Sequence, residues 1–548
     1  MMASAQDLEQ IGKGRPVHMN GSLSLQGGPY IHIGDGPGRN EPYWWNANGN
    51  LTVGIYGWQV PVSFNIGPEA RNFSQPFNRY GMSPYYKWAR LHLGYRSMRF
   101  NQYTLSGLQF FGAGVELEPK GFRFAAFYGR FTKPVAQDTL ASITPIPTYL
   151  RMGYGVKVGV GSHKNHVDVM LFRAADDTTS ISQPIGDPRL APKENVAVGI
   201  SARFMLTKRI SWITEAGASA INEDIRYPAV TDQEVNFNQP NVFTVRMGSR
   251  ALFAGNTALN YMDRVFGLRV QLRQVDPDYR SLGTFYQQTD LRAITVEPTL
   301  RLWKNKVRVG GSIGRQHDNL YGRKSATSYR NIGSANVTVN ASRSYSIDLR
   351  FTNYGITQEA GLQALSDTFR VAQVNRTYMI SQRYTRTGKV RTVALSLTGG
   401  MQNLTDLNTF DTYASSENEV IYGNLYASHI RMRDNLALNA GVNYTRNTTI
   451  MGSYELLGPS LGITVPLAKQ KVTLSINGTY NIARQDGVRA GYTQNLSSTL
   501  QYRLSQNHRL QLSASVLQNN TTILISRNFT EIRFVGGYVF LFSTKSRS

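Results

Sequence analysis

The feature that most constrains this chain is a unit that recurs along much of its length. About ten residues alternate apolar and polar, a short turn rich in Lys, Arg and Asn follows, and a second alternating run returns. Long strands joined by tight turns are the hairpins of an outer-membrane barrel. Across 435–446, Leu436, Leu438, Ala440, Val442 and Tyr444 share one face, and Ala437, Asn439, Gly441, Asn443 and Thr445 share the other. Val472, Leu474, Ile476, Gly478 and Tyr480 repeat the pattern against Thr473, Ser475, Asn477, Thr479 and Asn481. A soluble sheet with one face on a core would also alternate. Gly, Ser, Thr and Asn would gain little there from so many long strands, whereas a water-filled lumen accepts them and hydrocarbon requires the apolar register.

The chain has 548 residues, 50 Gly, 30 Tyr, 24 Phe, no Cys and a mean hydropathy of -0.32. No run of about 18 apolar residues exists, so a transmembrane helix is not available. A barrel escapes that test because only every second residue faces lipid. Without Cys there is no disulfide framework and no thiolate metal site. Tyr43, Trp44, Trp45, Tyr85, Tyr86, Trp88, Trp212, Trp303, Tyr538, Phe540 and Phe542 fall near predicted strand ends, where an aromatic belt meets the headgroups.

Turns set the architecture. Short ones such as Glu118-Pro119-Lys120-Gly121, His163-Lys164-Asn165, Lys304-Asn305-Lys306 and Ala468-Lys469-Gln470 alternate with longer polar connections at 26–48, 132–148, 176–193, 222–239, 276–285, 354–369 and 403–418. Short periplasmic turns and longer extracellular loops are the sidedness of outer-membrane barrels. The expected fold is all-β: one large antiparallel transmembrane β-barrel over 17–543, with about 24 strands in a range of about 20 to 26. Residues 1–16 read as a signal-peptide remnant and N-terminal segment, since Ala3-Ser4-Ala5 fits a small-residue cleavage site, and 544–548 read as a tail. Two segments break the rhythm. The Pro-rich stretch 67–84 and the stretch 251–263, whose Ala, Leu, Asn and Met suggest a short helix, are either lumenal insertions or ordinary periplasmic loops.

Phe73-Ser74-Gln75-Pro76-Phe77-Asn78-Arg79-Tyr80-Gly81, Asp276-Pro277-Asp278-Tyr279-Arg280-Ser281-Leu282-Gly283 and Gly311-Ser312-Ile313-Gly314-Arg315-Gln316-His317-Asp318-Asn319-Leu320 resemble segments of uncharacterised outer-membrane β-barrel proteins of the Bacteroidota. The resemblance implies the outer membrane of a Gram-negative bacterium. It implies no chemistry, and it leaves open whether the barrel works alone or in a larger assembly.

Chemistry is sparse. Alternation begins near Val17, which leaves no room ahead of it for the plug domain of a TonB-dependent transporter, and no phosphate-binding glycine loop or HExxH motif occurs. His163 and His166 flank a turn and lack a third ligand. His317 and Asp318 lack a nucleophile partner. Asp276 and Asp278 flank Pro277 in an expected exposed loop, where turn formation outweighs Ca²⁺ ligation. The expectation is a protein that is not an enzyme and has no cofactor.

Charge is the remaining clue. Lys plus Arg number 59 against 35 Asp plus Glu, a formal +24. Some of the excess sits in the short turns, where basic side chains reach lipid phosphates. The rest falls in the inward register: Arg90, His92, Arg96, Arg123, Lys157, Arg203, Arg269, Arg273, Arg301, Arg308, Arg350 and Arg533, with fewer acids, Glu116, Asp168, Glu215, Glu297 and Asp348. An open lumen of this kind favours anions. A filled one uses the Arg residues to hold wall and plug together. Charge dispersed through a membrane barrel argues against nucleic acid as a partner. The expected function is a passive or loop-gated channel for polar, anionic solutes, with outer-membrane lipid as its surroundings. The alternative is a structural or accessory subunit of an outer-membrane assembly or secretion complex.

Overall fold

A computed structural model describes residues 17–68, 79–136, 147–181, 190–230, 242–285, 288–324, 326–360, 372–406, 417–522 and 528–544. The N-terminal segment 1–16 and all but the first residue of the tail 544–548 lie outside them. Long strands follow one another, each antiparallel to the last, from Val17–Gly34 to Phe529–Ser543. Those two end strands pair with each other, Asn20 opposite Ser543 through Gly34 opposite Phe529, and the sheet closes. Arg79–Met82 and Tyr85–Tyr86 are two halves of one strand interrupted at Ser83-Pro84, which gives a wall of 26 strands. At about 4.8 Å between strands and about 40° of tilt, such a wall has a backbone diameter of about 50 Å.

Directly opposed residues point to the same face, so one lumenal register can be followed round the wall, for example from Arg123 to Gly159 to Asp168 to Ser201. The other face carries exposed Val158, Leu259, Leu349, Leu438, Leu461 and Leu512, as side chains that meet hydrocarbon must be. From Asn418–Arg431 through His508–Thr521 the lumenal positions are dominated by Asn, Gln, Ser, Thr, Tyr and Gly, with Arg503 and Arg509 only at the short-turn edge. Several of these bond across strands: Asn443 Nδ2 donates to Asn481 Oδ1 at 3.2 Å, and Thr493 Oγ1 to Asn519 Oδ1 at 2.7 Å.

Three expectations are corrected. Residues 251–263 form no helix: Arg250–Met262 is a wall strand, paired with Ile210–Asn222 and Phe266–Val275. Its Leu252 and Ala254 are buried on the lumenal side while Phe253 and Leu259 face lipid, so both registers are apolar and the period-two signal disappears. In 67–84, residues 69–78 lie outside the described residues, and Arg79–Met82 belongs to the wall, not to a lumenal insertion. Trp44 and Tyr85 do not join the aromatic belt. Both share the lumenal register, Trp44 opposite Gly28 and Tyr85 opposite Arg90, while Tyr43, Trp45, Trp212 and Tyr538 face outward.

The two faces predict opposite tolerance of charge. Leu461→Arg, on the lipid face midway along Gly452–Leu467, is expected to destabilise the barrel by about 2–4 kcal/mol, and Asn477→Arg, in the lumen, by far less. Urea titration of folding into lipid vesicles measures both.

Candidate functional site: a plug on one side of the lumen

Two connections at the long-loop end turn back into the barrel. Residues 97–109 follow the strand Ala89–Arg96, and residues 276–290 follow Phe266–Val275. Inside the lumen they pair with each other as a short parallel ladder, Leu105 with Gly283 and Ser106 with Thr284. Asp276 and Tyr279 are therefore buried, which overturns the expected exposure of Asp276, while Asp278 is exposed as expected.

Asn101 organises the first segment. Its Oδ1 accepts from Tyr103 N (3.0 Å), Thr104 N (2.8 Å) and Thr104 Oγ1 (2.8 Å), closing a local turn. Its Nδ2 donates to the wall at Ala216 O (2.9 Å) and Ile200 O (3.3 Å). The second segment is tied both to the first and to the wall. Tyr279 OH donates to Tyr103 O (2.8 Å), Ser281 Oγ to Thr104 O (2.6 Å) and Leu282 N to Asn195 Oδ1 (3.0 Å). Asp276 anchors its root by accepting from Phe253 N at 2.8 Å. Burial raises the Tyr103 phenol and the Tyr279 phenol, with Tyr103 and Asp276 adding to the shift at Tyr279. Tyr279 therefore stays a neutral donor to the Tyr103 carbonyl.

Glycines in the wall make the seats. A Cβ at Gly199 would lie 2.7 Å from Asn101 Nδ2, and one at Gly217, directly opposite, 2.8 Å from Tyr103 Cβ. At Gly155 it would meet Phe100 at 2.8 Å, and at Gly114 the Met98 sulfur at 2.6 Å. Met98, Phe100, Leu105 and Leu282 pack on the lumenal side chains Phe110, Phe127, Met170 and Phe172. Tyr103 and Tyr279 pack on Ile221, Leu252, Val275 and Leu291. Each of these apolar side chains contributes about 1.5–3 kcal/mol by leaving water. The plug covers nine consecutive strands, from Phe110–Leu117 to Leu291–Leu302, and among the described residues no segment packs likewise on the others.

The twelve basic residues picked out in the sequence all share the lumenal register, but they fall into different groups. Arg123 Nε donates to Asp168 Oδ1 at 2.8 Å, Arg90 and His92 lie 3.8 and 3.5 Å from Glu116, and Arg269 lies 3.9 Å from Glu297. Lys157 is buried with its ammonium 5.8 Å from the centre of the Phe100 ring, and Arg533 lies over Trp44 at 4.2 Å. Arg96, Arg203, Arg273, Arg301, Arg308 and Arg350 have no carboxylate within 4.0 Å among the described residues. Arg301 and Arg308 are directly opposed, exposed to the lumen and next to the short turn at Lys304 and Lys306. Ten of the twelve turns at this end of the barrel carry Lys or Arg, thirteen cations against three carboxylates, so this mouth is strongly positive.

The pairs considered for metal or catalytic chemistry are not brought together. His163 approaches Glu118 at 3.8 Å, and His166 Nδ1 contacts Ser162 O at 3.0 Å. His317 Nδ1 contacts the Asp318 backbone oxygen, and the Asp318 carboxylate accepts from Ser328 N and Lys324 Nζ. Asp278 pairs with Arg250.

A closed wall with an apolar outer face and a polar lumen decides the class. The chain is an outer-membrane-type β-barrel. No protein-family model and no curated protein matches the sequence. The P pilus usher (PapC) translocation pore aligns over 96% of this chain and 100% of its own, at 10% identity and a TM-score of 0.39. The copper transporter OprC aligns over 96% of this chain and 80% of its own, at 8% identity and a TM-score of 0.42. OccAB4 of Acinetobacter baumannii aligns over 72% of this chain and 98% of its own, at 11% identity and a TM-score of 0.28. These are likenesses of architecture, and nothing about cargo or partners follows from them.

The plug depends on Asn101 and on its glycine seats. Asn101→Ala leaves Tyr103 N and Thr104 N without their acceptor, a loss of about 1–3 kcal/mol per buried group. Trypsin is expected to cut this variant at Arg99 while sparing the native protein, and the wall is expected to keep its heat-modifiable mobility on gels. Gly217→Leu should behave in the same way.

Proposed function

We propose that the protein is a passive channel in the outer membrane of a Gram-negative bacterium, narrowed on one side by its own two loops, and that it passes polar solutes with a preference for anions. The observation that carries this reading is the mismatch between plug and wall. The plug meets nine strands, while the remaining wall presents amides, hydroxyls and Arg residues such as Arg308 and Arg350 that have no carboxylate within 4.0 Å among the described residues. Lumenal cations lower the energy of an anion in transit and raise that of a cation. The positive short-turn mouth adds to the same field over about a Debye length, roughly 8–10 Å. The two loops are bonded to each other and to the wall, so they act as a fixed constriction. The reading assigns the chain no catalytic role.

A second reading is favoured by the density of plug contacts and the cationic turns: an accessory barrel whose short-turn face meets an acidic partner in a larger outer-membrane complex. The two readings separate in planar bilayers. Purified protein is expected to give ohmic steps with a reversal potential displaced toward chloride in a salt gradient. Arg301→Ala combined with Arg308→Ala should shift that potential toward zero, most clearly at low salt. No conductance from folded protein would reject the channel and leave the accessory barrel.

A further inference from the structure

The break at Ser83-Pro84 has a consequence on the lumenal side. Pro84 has no N–H and leaves one donor out of the ladder, while Ser83 N still bonds Pro61 O at 3.0 Å and Leu91 N bonds Pro84 O at 2.8 Å. A recess of about 500 Å³ opens there, lined by Thr52, Ser63, Ser83, His92, Arg96 and Gln109 among others. It lies at the root of the plug, since Arg96 leads into residues 97–109 and Gln109 ends them.

The chemistry of this recess is one-signed. Arg96 Nη1 donates to Ser63 Oγ at 2.8 Å and to Tyr95 O at 3.4 Å, and Nη2 donates to Gly81 O. All three acceptors are neutral, Nε is buried without a partner, and no carboxylate lies within 4.0 Å among the described residues. His92, buried to 6% exposure, holds Ser83 Oγ at 3.2 Å through Nδ1, and its Nε2, 3.5 Å from Glu116, has no hydrogen-bond partner. A guanidinium fork without a carboxylate, flanked by hydroxyls in a concave polar site, suits a group with several acceptor oxygens.

We propose that this recess binds a small oxyanion, the carboxylate or phosphate group of a solute in the lumen, on Arg96 with the Ser63 and Ser83 hydroxyls. The proposal rests on the anion-channel reading and names the point where the solute is held. The test is calorimetric titration of the detergent-purified full chain with inorganic phosphate and, separately, succinate at low ionic strength. Saturable binding is expected for at least one. Arg96→Gln should weaken it about tenfold or more, the scale of a lost charge-assisted hydrogen bond, and Arg96→Lys should weaken it less. Ser63→Ala, which leaves the guanidinium in place, should weaken it by about threefold, and Arg301→Ala with Arg308→Ala should leave it unchanged. Heat-modifiable gel mobility verifies that each variant is folded. Absence of saturable binding to the native protein, or equal binding by folded Arg96→Gln, overturns the proposal. Binding without conductance keeps the recess and rejects the channel; anion-selective conductance without binding does the reverse.

Discussion

Everything in this protein depends on closing the sheet. In hydrocarbon an unpaired backbone N–H or C=O has no water to turn to and costs several kcal/mol, so a strand wall survives only if its first and last members meet. Val17–Gly34 and Phe529–Ser543 do so over nearly their whole length. The approach is close at Gly28, where a Cβ would fall 2.0 Å from Phe534 O. Closure fixes the register of every strand and therefore assigns each residue to lipid or lumen.

That assignment produces two kinds of wall. From Asn418–Arg431 to His508–Thr521 the lumenal residues are neutral amides and hydroxyls that bond to one another, a lining that needs no protein to cover it. From Phe110–Leu117 to Leu291–Leu302 the lumenal residues include Phe110, Phe127, Met170, Phe172 and Leu252, which water would not stabilise. The folded-in loops cover them. Glycine serves the two walls differently: under the plug it admits a side chain from a loop, as Gly155 admits Phe100, and elsewhere it admits a neighbouring amide, as Gly462 admits Asn477.

The basic residues are divided differently. Near the plug Arg123 is matched by Asp168, and the Lys157 ammonium lies near the face of Phe100. Arg203, Arg273 and Arg301, on strands the plug covers, and Arg308 and Arg350, beyond them, have no carboxylate within 4.0 Å among the described residues. Among the described residues, lumenal cations without a carboxylate partner therefore occur on both parts of the wall.

Alternation alone was enough to read the class of fold and the approximate strand number, because a two-residue period survives any change in neighbours. It failed where both faces of a strand are covered: Arg250–Met262 lost its polar register to the plug and read as a helix. The plug itself left a trace that could have been used. Phe122–Thr132 and His166–Asp177 are apolar in both registers, which lipid on one side does not explain. What no local pattern contains is the meeting of residues 97–109 with 276–290, since Tyr279 OH and Tyr103 O are 176 residues apart and are joined only by the curvature of the closed wall. Sequence determined which side chains face inward. Tertiary structure decided which of them face protein and which face the open lumen, because that depends on where two distant loops find glycine seats and apolar cover.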